Sequence, residues 1–291
     1  MPSLNLIGAG RLGNSLAYLA HASGQYQIAG IYSRSEASSI AAREFIGAGN
    51  VFENLAQLPP ADLWLLAVPD GAIATVASQL AQAGVVNAGA IVFHASGALA
   101  ADQLAALSPL GAQCASLHPA FSFADPARAV ATFAGTLCAL EGDAAACEAL
   151  ARLVHAIGGV PFQLQGGKDA KVAYHAALSM AANYLVTLSD LALQTANQAG
   201  IAPEIANQLV LGLIRQTLVN VEQLGPAAAL TGPIVRGDAA TVAQHLAVLP
   251  STHQASYRAL GEATVVLAGD RLSDAARSAL LNTLQSEPRS T

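Results

Sequence analysis

Residues 4–13 read Leu-Asn-Leu-Ile-Gly-Ala-Gly-Arg-Leu-Gly: an apolar run stops at Gly8 and a helical pattern opens at Arg11. Gly8, Gly10 and Gly13 therefore stand in G-x-G-x-x-G order between a strand and a helix, the setting in which that spacing makes a phosphate-binding turn. Gly8 permits the tight turn, Gly10 lets the backbone approach a pyrophosphate, and Gly13 lets the helix pack close on the strand. The N–H groups of the first helical turn, at Arg11 and Leu12, then point at the phosphates from the positive end of the helix. The competing reading is a glycine-rich turn in some other α/β domain.

The next strand, Ile28–Tyr32, ends in Ser33-Arg34-Ser35. A site for NAD places Asp or Glu here, to take the ribose hydroxyls. This chain places a guanidinium flanked by hydroxyls, which suits a 2′-phosphate and hence NADP. The alternative is that Arg34 is an exposed loop arginine. Glu36 follows closely and would repel the phosphate if it pointed inward.

The chain has eleven arginines and only two lysines, Lys168 and Lys171. Lysine differs from arginine in that burial can pull its pKa down far enough for it to give up a proton. Lys168 reads as a solvated helix start. Lys171 heads a stripe with His175, Ser179 and Asn183 at i, i+4, i+8 and i+12, within an arc of roughly 120°. A lysine followed by neutral hydrogen-bonding groups suits the wall of a cleft, with solvent or interhelical bonding as the alternative. On that reading Lys171 is the candidate acid, His175 and Asn183 orient, and Ser179 contacts substrate.

Ligands of open α/β sheets lie at the carboxyl ends of the strands. Val68 and Pro69 end the fourth candidate strand and Ser96 follows the fifth, which places them beside the cofactor. Asp70 reads as a cap for the helix that follows. His118 ends the sixth strand, its exit set by Pro119, and is the alternative acid. Arg236, in the polar loop Thr231–Asp238, is either an anchor for a substrate carboxylate or a structural ion-pair partner, and Asp238 reads as a helix cap. His94 and His118 have no carboxylate or thiol partner at ligand spacing, so no metal is expected.

These residues need elements to position them. Candidate strands at Leu4–Ile7, Ile28–Tyr32, Asn50–Phe52, Asp62–Val68, Ala90–His94, Ala112–His118, Gly135–Glu141 and Pro161–Gln165 alternate with helical patterns. That is the grammar of an α/β fold with a doubly wound sheet. After Gly166-Gly167 only helices are read: Lys168–Ala199, Pro203–Leu224, Ala239–Leu249, Thr252–Gly269 and Ser273–Gln285. The expected organisation is a Rossmann-type NADP-binding domain over 1–165 and an all-α domain for substrate and dimerisation over 166–291. The tail Glu287–Thr291 is expected to fray.

The chain is 291 residues long, 53% hydrophobic and 11% charged, with a net charge of −6. Nothing in that balance attracts nucleic acid. The apolar composition predicts large buried interfaces and a homodimer formed through the helical domain. No signal segment is read at the start, which predicts a cytoplasmic protein. The uncharged run Val172–Ser189 is long enough to span a bilayer. Its many polar groups predict instead a helix buried by its neighbours, including those of a second subunit, and no membrane partner. Cys114, Cys138 and Cys147 read as buried, reduced small hydrophobes.

The N-terminal half resembles the NADP-binding domain shared by ketopantoate reductase, 3-hydroxyisobutyrate dehydrogenase and pyrroline-5-carboxylate reductase. The helical half resembles their 6-phosphogluconate-dehydrogenase-like C-terminal domain. More narrowly, Lys171-Val-Ala-Tyr174-His175, the Asn183-Tyr184-Leu185 run and Leu230-Thr-Gly-Pro-Ile-Val-Arg236-Gly-Asp238 resemble a bacterial family of Rossmann-like proteins with a C-terminal domain of unknown function. The broader resemblance implies a lysine, at Lys171, that protonates or stabilises the substrate oxygen. The two asparagines that follow that lysine in the 3-hydroxyacid dehydrogenases are here Tyr174 and His175, and His118-Pro119 replaces their Ser-Gly-Gly segment. The expectation is an NADP-dependent oxidoreductase reducing a small C=O or C=N substrate in a cleft between domains. The alternative is an NADP(H)-binding sensor or partner-binding protein without turnover.

Overall fold

The computed structural model describes residues 1–286, and the expectation for the tail lies outside the described residues. The chain forms two compact units, Met1–Ala182 and Asn183–Thr291.

The first unit is built on one eight-stranded sheet: β1 (Ser3–Ile7), β2 (Gln27–Tyr32), β3 (Asn50–Val51), β4 (Leu63–Leu66), β5 (Ile91–His94), β6 (Gln113–Pro119), β7 (Leu137–Gly142) and β8 (Val160–Gln163). The order across the sheet is β3-β2-β1-β4-β5-β6-β7-β8. The helices are α1 (Arg11–Ala22), α2 (Glu36–Ile46), α3 (Ile73–Ala83), α4 (Pro126–Thr132), α5 (Ala144–Ala156) and α6 (Gly167–Ala181), with a run of 3₁₀ turns at Ala101–Leu110. All eight candidate strands are present, and this is the expected Rossmann-type α/β architecture.

Strand composition follows from burial on both faces, as parallel sheets require. In β4, Leu63 and Leu65 enter the core beside α1 and α5, while Trp64 and Leu66 enter the core beside α3 and the 3₁₀ run. The neighbours β1 and β4 lead to opposite sides of the sheet, so the switch point for a ligand lies between their carboxyl ends.

The doubly wound expectation holds through β6 and then changes. β7 runs antiparallel to β6, and β8 is parallel to β7. A parallel return requires a crossover element lying along the sheet. The connection at 120–136 offers only the seven-residue α4, which packs on α1 instead. Sequence reading did not anticipate α4.

The single helix expected over Lys168–Ala199 is two helices, α6 and α7 (Asn183–Gln198), interrupted at Ala182, which has φ −109° and ψ −64°. α6 belongs to the unit with the sheet, so the compact boundary falls after Ala182 rather than at Gly166. The physical reason is Lys171, whose side chain is buried beneath the helix against β6 and β7.

Burial of Val172–Ser189 by the chain's own neighbours is corrected as well. Lys171 is the one buried residue of α6, and α7 has none. The run Gly167–Gln198 has the length and composition to cross a membrane. It is nevertheless broken at Ala182, and its first turns are tied to the sheet through the Lys171 ammonium.

The second unit continues from α7 with α8 (Pro203–Leu224), α9 (Pro226–Ala229), α10 (Ala239–Val248), α11 (Ser251–Ala268) and α12 (Asp274–Gln285). It is all-helical, as expected, apart from the unforeseen short α9. Val242, Leu246, Val265, Leu280 and Leu284 form its core. Asp238 caps α10 by accepting the Thr241 N–H at 3.0 Å, as its position predicted.

Candidate functional site

The three glycines of the opening motif occupy three distinct environments. Gly8 has φ +101° and donates its N–H to Tyr32 O at 2.8 Å, and a Cβ there would strike the Ala67 carbonyl. Around Gly10 nothing lies within 4 Å of where a Cβ would stand. A Cβ on Gly13 would lie 2.5 Å from Gly8 O and 2.8 Å from the Ala67 Cβ. So Gly13 seats α1 on β1 and β4, Gly8 turns the chain, and the open face of Gly10 leaves room for a pyrophosphate at the helix start. Gly10 is itself the N-cap of α1 and supplies no side-chain acceptor, so the first N–H groups stay available.

Arg11 is exposed and Leu12 half-buried at the start of α1. Arg34 is exposed beyond β2. Ser35 caps α2, its hydroxyl accepting the Ser38 N–H at 3.4 Å, and Ser33 is half-buried. Glu36 is in the first turn of α2, favourably placed toward that helix dipole. Val68 is half-buried and Pro69 exposed at the end of β4. Ser96 donates to Asp70 Oδ2 at 2.8 Å and accepts the N–H groups of Ala98 and Leu99. It thereby ties the turn after β5 to the turn after β4, on the rim where the switch point lies.

The second cluster grows from a row of residues running across three strands. In register, His94 of β5 faces Ser116 of β6, and Ser116 faces Glu141 of β7. Lys171 of α6 enters this row. Its ammonium donates to Ser116 Oγ and lies 3.9 Å from Glu141 Oε2, and its side chain is 0% exposed. Glu141 Oε2 also accepts the Ala101 N–H at 2.9 Å. Burial pulls the Lys171 pKa down, against the pull of Glu141.

His94 is a satisfied core residue. Its Nε2–H donates to Ala100 O at 3.0 Å and its Nδ1 accepts the Ser96 N–H at 3.2 Å. Among the described residues no His, Cys, Asp and Glu group has the makings of a metal site.

Two residues beyond Ser116, His118 is half-buried under α6, with its Nδ1 at 3.0 Å from Tyr174 Oη. Its ring meets those of Tyr174 and His175 edge to face, at centroid distances of 5.6 and 5.9 Å. A Cβ on Gly97 would strike His175 Nδ1 and lie 2.8 Å from His118 Nε2, so glycine is what lets both imidazoles close over the turn after β5. His175 Nδ1 is buried there without a partner.

Burial, then His175 and Lys171, push the His118 pKa down to about 4. Burial likewise pushes His94 down to about 4 and Tyr174 up to about 12. Near neutral pH His118 is therefore a neutral imidazole beside an un-ionised phenol, both able to donate and accept.

The structure thus unites Lys171, His175 and His118, while Ser179 is half-buried farther along α6. Asn183 is exposed at the start of α7, and Arg236 is exposed before α10, both in the second unit. Sequence reading missed Tyr174, Glu141 and Gly97 as parts of the cluster. The register of β6 with β7 brings Glu141 in, and only an expected antiparallel β7 would have revealed it.

A parallel sheet with its glycine turn at the β1–α1 junction defines a Rossmann-like chain. Residues 2–119 match the Rossmann-like domain model, and residues 136–264 match a domain of unknown function, DUF2520. The two matches follow one another along the chain in that order. No curated protein sequence matches it closely enough to count as a relative.

Among solved structures, a candidate NADP oxidoreductase of Bacteroides fragilis is similar at 21% identity, over 91% of this chain and 98% of that one, with a TM-score of 0.76. A protein of Thermotoga maritima is 25% identical, over 97% and 98%, with a TM-score of 0.63. The pyrroline carboxylate reductase of Plasmodium falciparum, solved with NADP bound, is 14% identical, over 97% and 98%, with a TM-score of 0.59. At these identities the likeness is one of fold.

Proposed function

We propose that the chain is an NADP-dependent oxidoreductase that reduces a small C=O or C=N substrate above the carboxyl ends of β4, β5 and β6. The observation that carries this reading is the juxtaposition just described. An open glycine turn stands at the switch point, and His118, with Tyr174 and His175 of α6 against it, stands at the end of β6 three strands away. The open face of Gly10 and the uncapped N–H groups of α1 fit a pyrophosphate, and Arg34 is the cation for a 2′-phosphate. The fold shared with an NADP-bound reductase supports the same reading.

Bound NADPH would supply the hydride for the substrate carbon. The chain's own groups then hold the substrate heteroatom, which takes its proton from solvent: His118 binds it through the nitrogen not engaged with Tyr174, with His175 beside it. A second reading, an NADP(H)-binding sensor without turnover, is favoured by the complete burial of Lys171.

Calorimetry with NADPH and NADH tests the nucleotide site first. Heat with NADPH and much weaker heat with NADH is the expected result, and no heat with either overturns both readings. Loss of NADPH absorbance with a panel of 2-oxo acids, 3-oxo acids and cyclic imines then separates enzyme from sensor.

We also infer that the helical unit pairs with that of a second copy. α7 and α8 expose Tyr184, Val186, Leu209, Leu213 and Leu218. Helices of 16 and 22 residues are about 24 and 33 Å long, enough to present the roughly 800 Å² per partner of a stable interface.

A further inference from the structure

Lysine is almost never fully buried, yet Lys171 is among the largest fully buried side chains of the chain. It is also the only buried residue of α6. The helix therefore docks on the sheet through an ammonium, with the Tyr174 ring against Phe162 of β8 as an aromatic contact beside it. The docking point ties several elements together at once: Ser116 belongs to β6, Glu141 to β7, and Glu141 in turn holds the N–H that opens the 3₁₀ run at Ala101.

One turn farther along α6 come Tyr174 and His175, at i+3 and i+4, on the same side of the helix. There Tyr174 Oη meets His118 Nδ1 at 3.0 Å, and the His175 ring closes on Gly97. Any slip of α6 along its axis would move about 1.5 Å per residue. That is enough to break the Tyr174–His118 hydrogen bond.

We propose that Lys171 is a positioning residue, buried to fix the height of α6 so that His118, Tyr174 and His175, rather than the ammonium, meet the substrate. The proposal rests on the oxidoreductase reading for the word substrate alone. The arrangement it describes exists without ligand. An ammonium bonded to Ser116, 3.9 Å from Glu141 and with none of its side chain exposed is closed off from a molecule arriving from solvent. Its charge nonetheless reaches the reacting groups, because it helps hold His118 neutral. The groups that face His118 are Tyr174 and His175 of α6, Lys171 beneath them, and Asp70 after β4.

The scarcity of lysine supplies the test. Lys168 is exposed and Lys171 is sealed, and the chain has no other lysine. Reductive methylation of the folded full chain with formaldehyde and cyanoborohydride, read site by site by mass spectrometry, compares the two directly. Lys171 is expected to react at least about a hundredfold more slowly than Lys168, since only locally opened molecules expose it. Comparable rates overturn the proposal. This experiment involves no nucleotide and no substrate, so its failure is distinct from failure of the oxidoreductase reading.

The electrostatic half is read from the His118 imidazole by NMR titration of histidine-labelled protein. In Lys171→Met the His118 midpoint is expected to shift upward, while in Lys171→Arg it stays near the wild-type value. An unchanged midpoint in a folded Lys171→Met chain overturns that half. Should Lys171→Met not fold, Glu141→Gln serves instead: it strips a carboxylate from the ammonium and is expected to weaken the protection of Lys171 against methylation. Unaltered protection in that variant shows that Glu141 does not hold the lysine, contrary to the proposal.

Discussion

Replacing Gly13 and Gly10 separately by alanine should divide the stability of the opening turn from its binding. At Gly13 the new methyl would stand 2.5 Å from a backbone oxygen and 2.8 Å from the Ala67 Cβ, neither of which has a flexible end to move. Overpacking of that kind costs about 1–3 kcal/mol. The better helix propensity of alanine returns up to about 1 kcal/mol. A net loss of about 1–2 kcal/mol remains. At Gly10 the methyl meets nothing within 4 Å, and φ −85° with ψ 175° is open to any residue. The roughly 0.5–1 kcal/mol lost at the cap, where alanine ranks below glycine, is offset by a similar gain from reduced unfolded-state entropy. Stability should therefore hold, while the space for phosphate narrows.

The chain's single tryptophan, Trp64, is fully buried in β4, so its fluorescence in urea reports on the first unit. With m near 2 kcal/mol per molar, Gly13→Ala should lower the midpoint by roughly 0.5–1 M, and Gly10→Ala should leave it in place. NADPH titration should show the reverse order, with Gly10→Ala the weaker binder. An unmoved midpoint in Gly13→Ala, or undiminished NADPH affinity in Gly10→Ala, would refute the division of labour among these glycines.

Arg34→Ala should weaken NADPH binding about tenfold to a hundredfold, the value of a charged hydrogen bond of about 1.5–3 kcal/mol, and leave NADH alone; equal losses for both nucleotides in calorimetry would remove Arg34 from the 2′-phosphate. His94 and His118 titrate near 4 in the folded chain against an ordinary 6.5, so the unfolded chain binds more protons between those values. Stability is whole above about pH 6.5 and declines as pH falls toward 4, by about 3 kcal/mol for each imidazole. A flat Trp64 urea midpoint across that window would contradict it. Val186→Asp with Leu213→Glu should convert a dimer to monomers in sedimentation, and a wild-type chain that sediments as a monomer at micromolar concentration would dispose of the pairing.

The opening turn was legible because each glycine answers to a local demand, and local demands are written in adjacent residues. The eight strands were legible for the same reason, each being a short apolar run closed by Gly, Pro or a polar turn. The direction of β7 was not, because it depends on where α4 packs, and α4 leaves little hydrophobic period in seven residues. Lys171 was singled out correctly as unusual, but its surroundings were misjudged. Helical spacing reveals which residues share a side, and a side that carries a lysine was taken for the wall of an open cleft. Whether that lysine is wet or sealed depends on Ser116 and Glu141, 55 and 30 positions away in sequence, and no periodicity along α6 encodes them. The break at Ala182 had no glycine or proline to announce it.

The reversal of β7 carries one more consequence. Since β6 leaves the sheet at Pro119 and β7 re-enters beside it at Cys138, the excursion from 120 to 136 starts and ends at the rim where the glycine turn opens and packs α4 against α1 between those points. Phe121, Phe123 and Phe133 knit it into a small aromatic knot. Lengthening or shortening that excursion would redraw the rim next to His118 while every strand kept its neighbours, a degree of freedom by which one scaffold can be fitted to differently shaped guests.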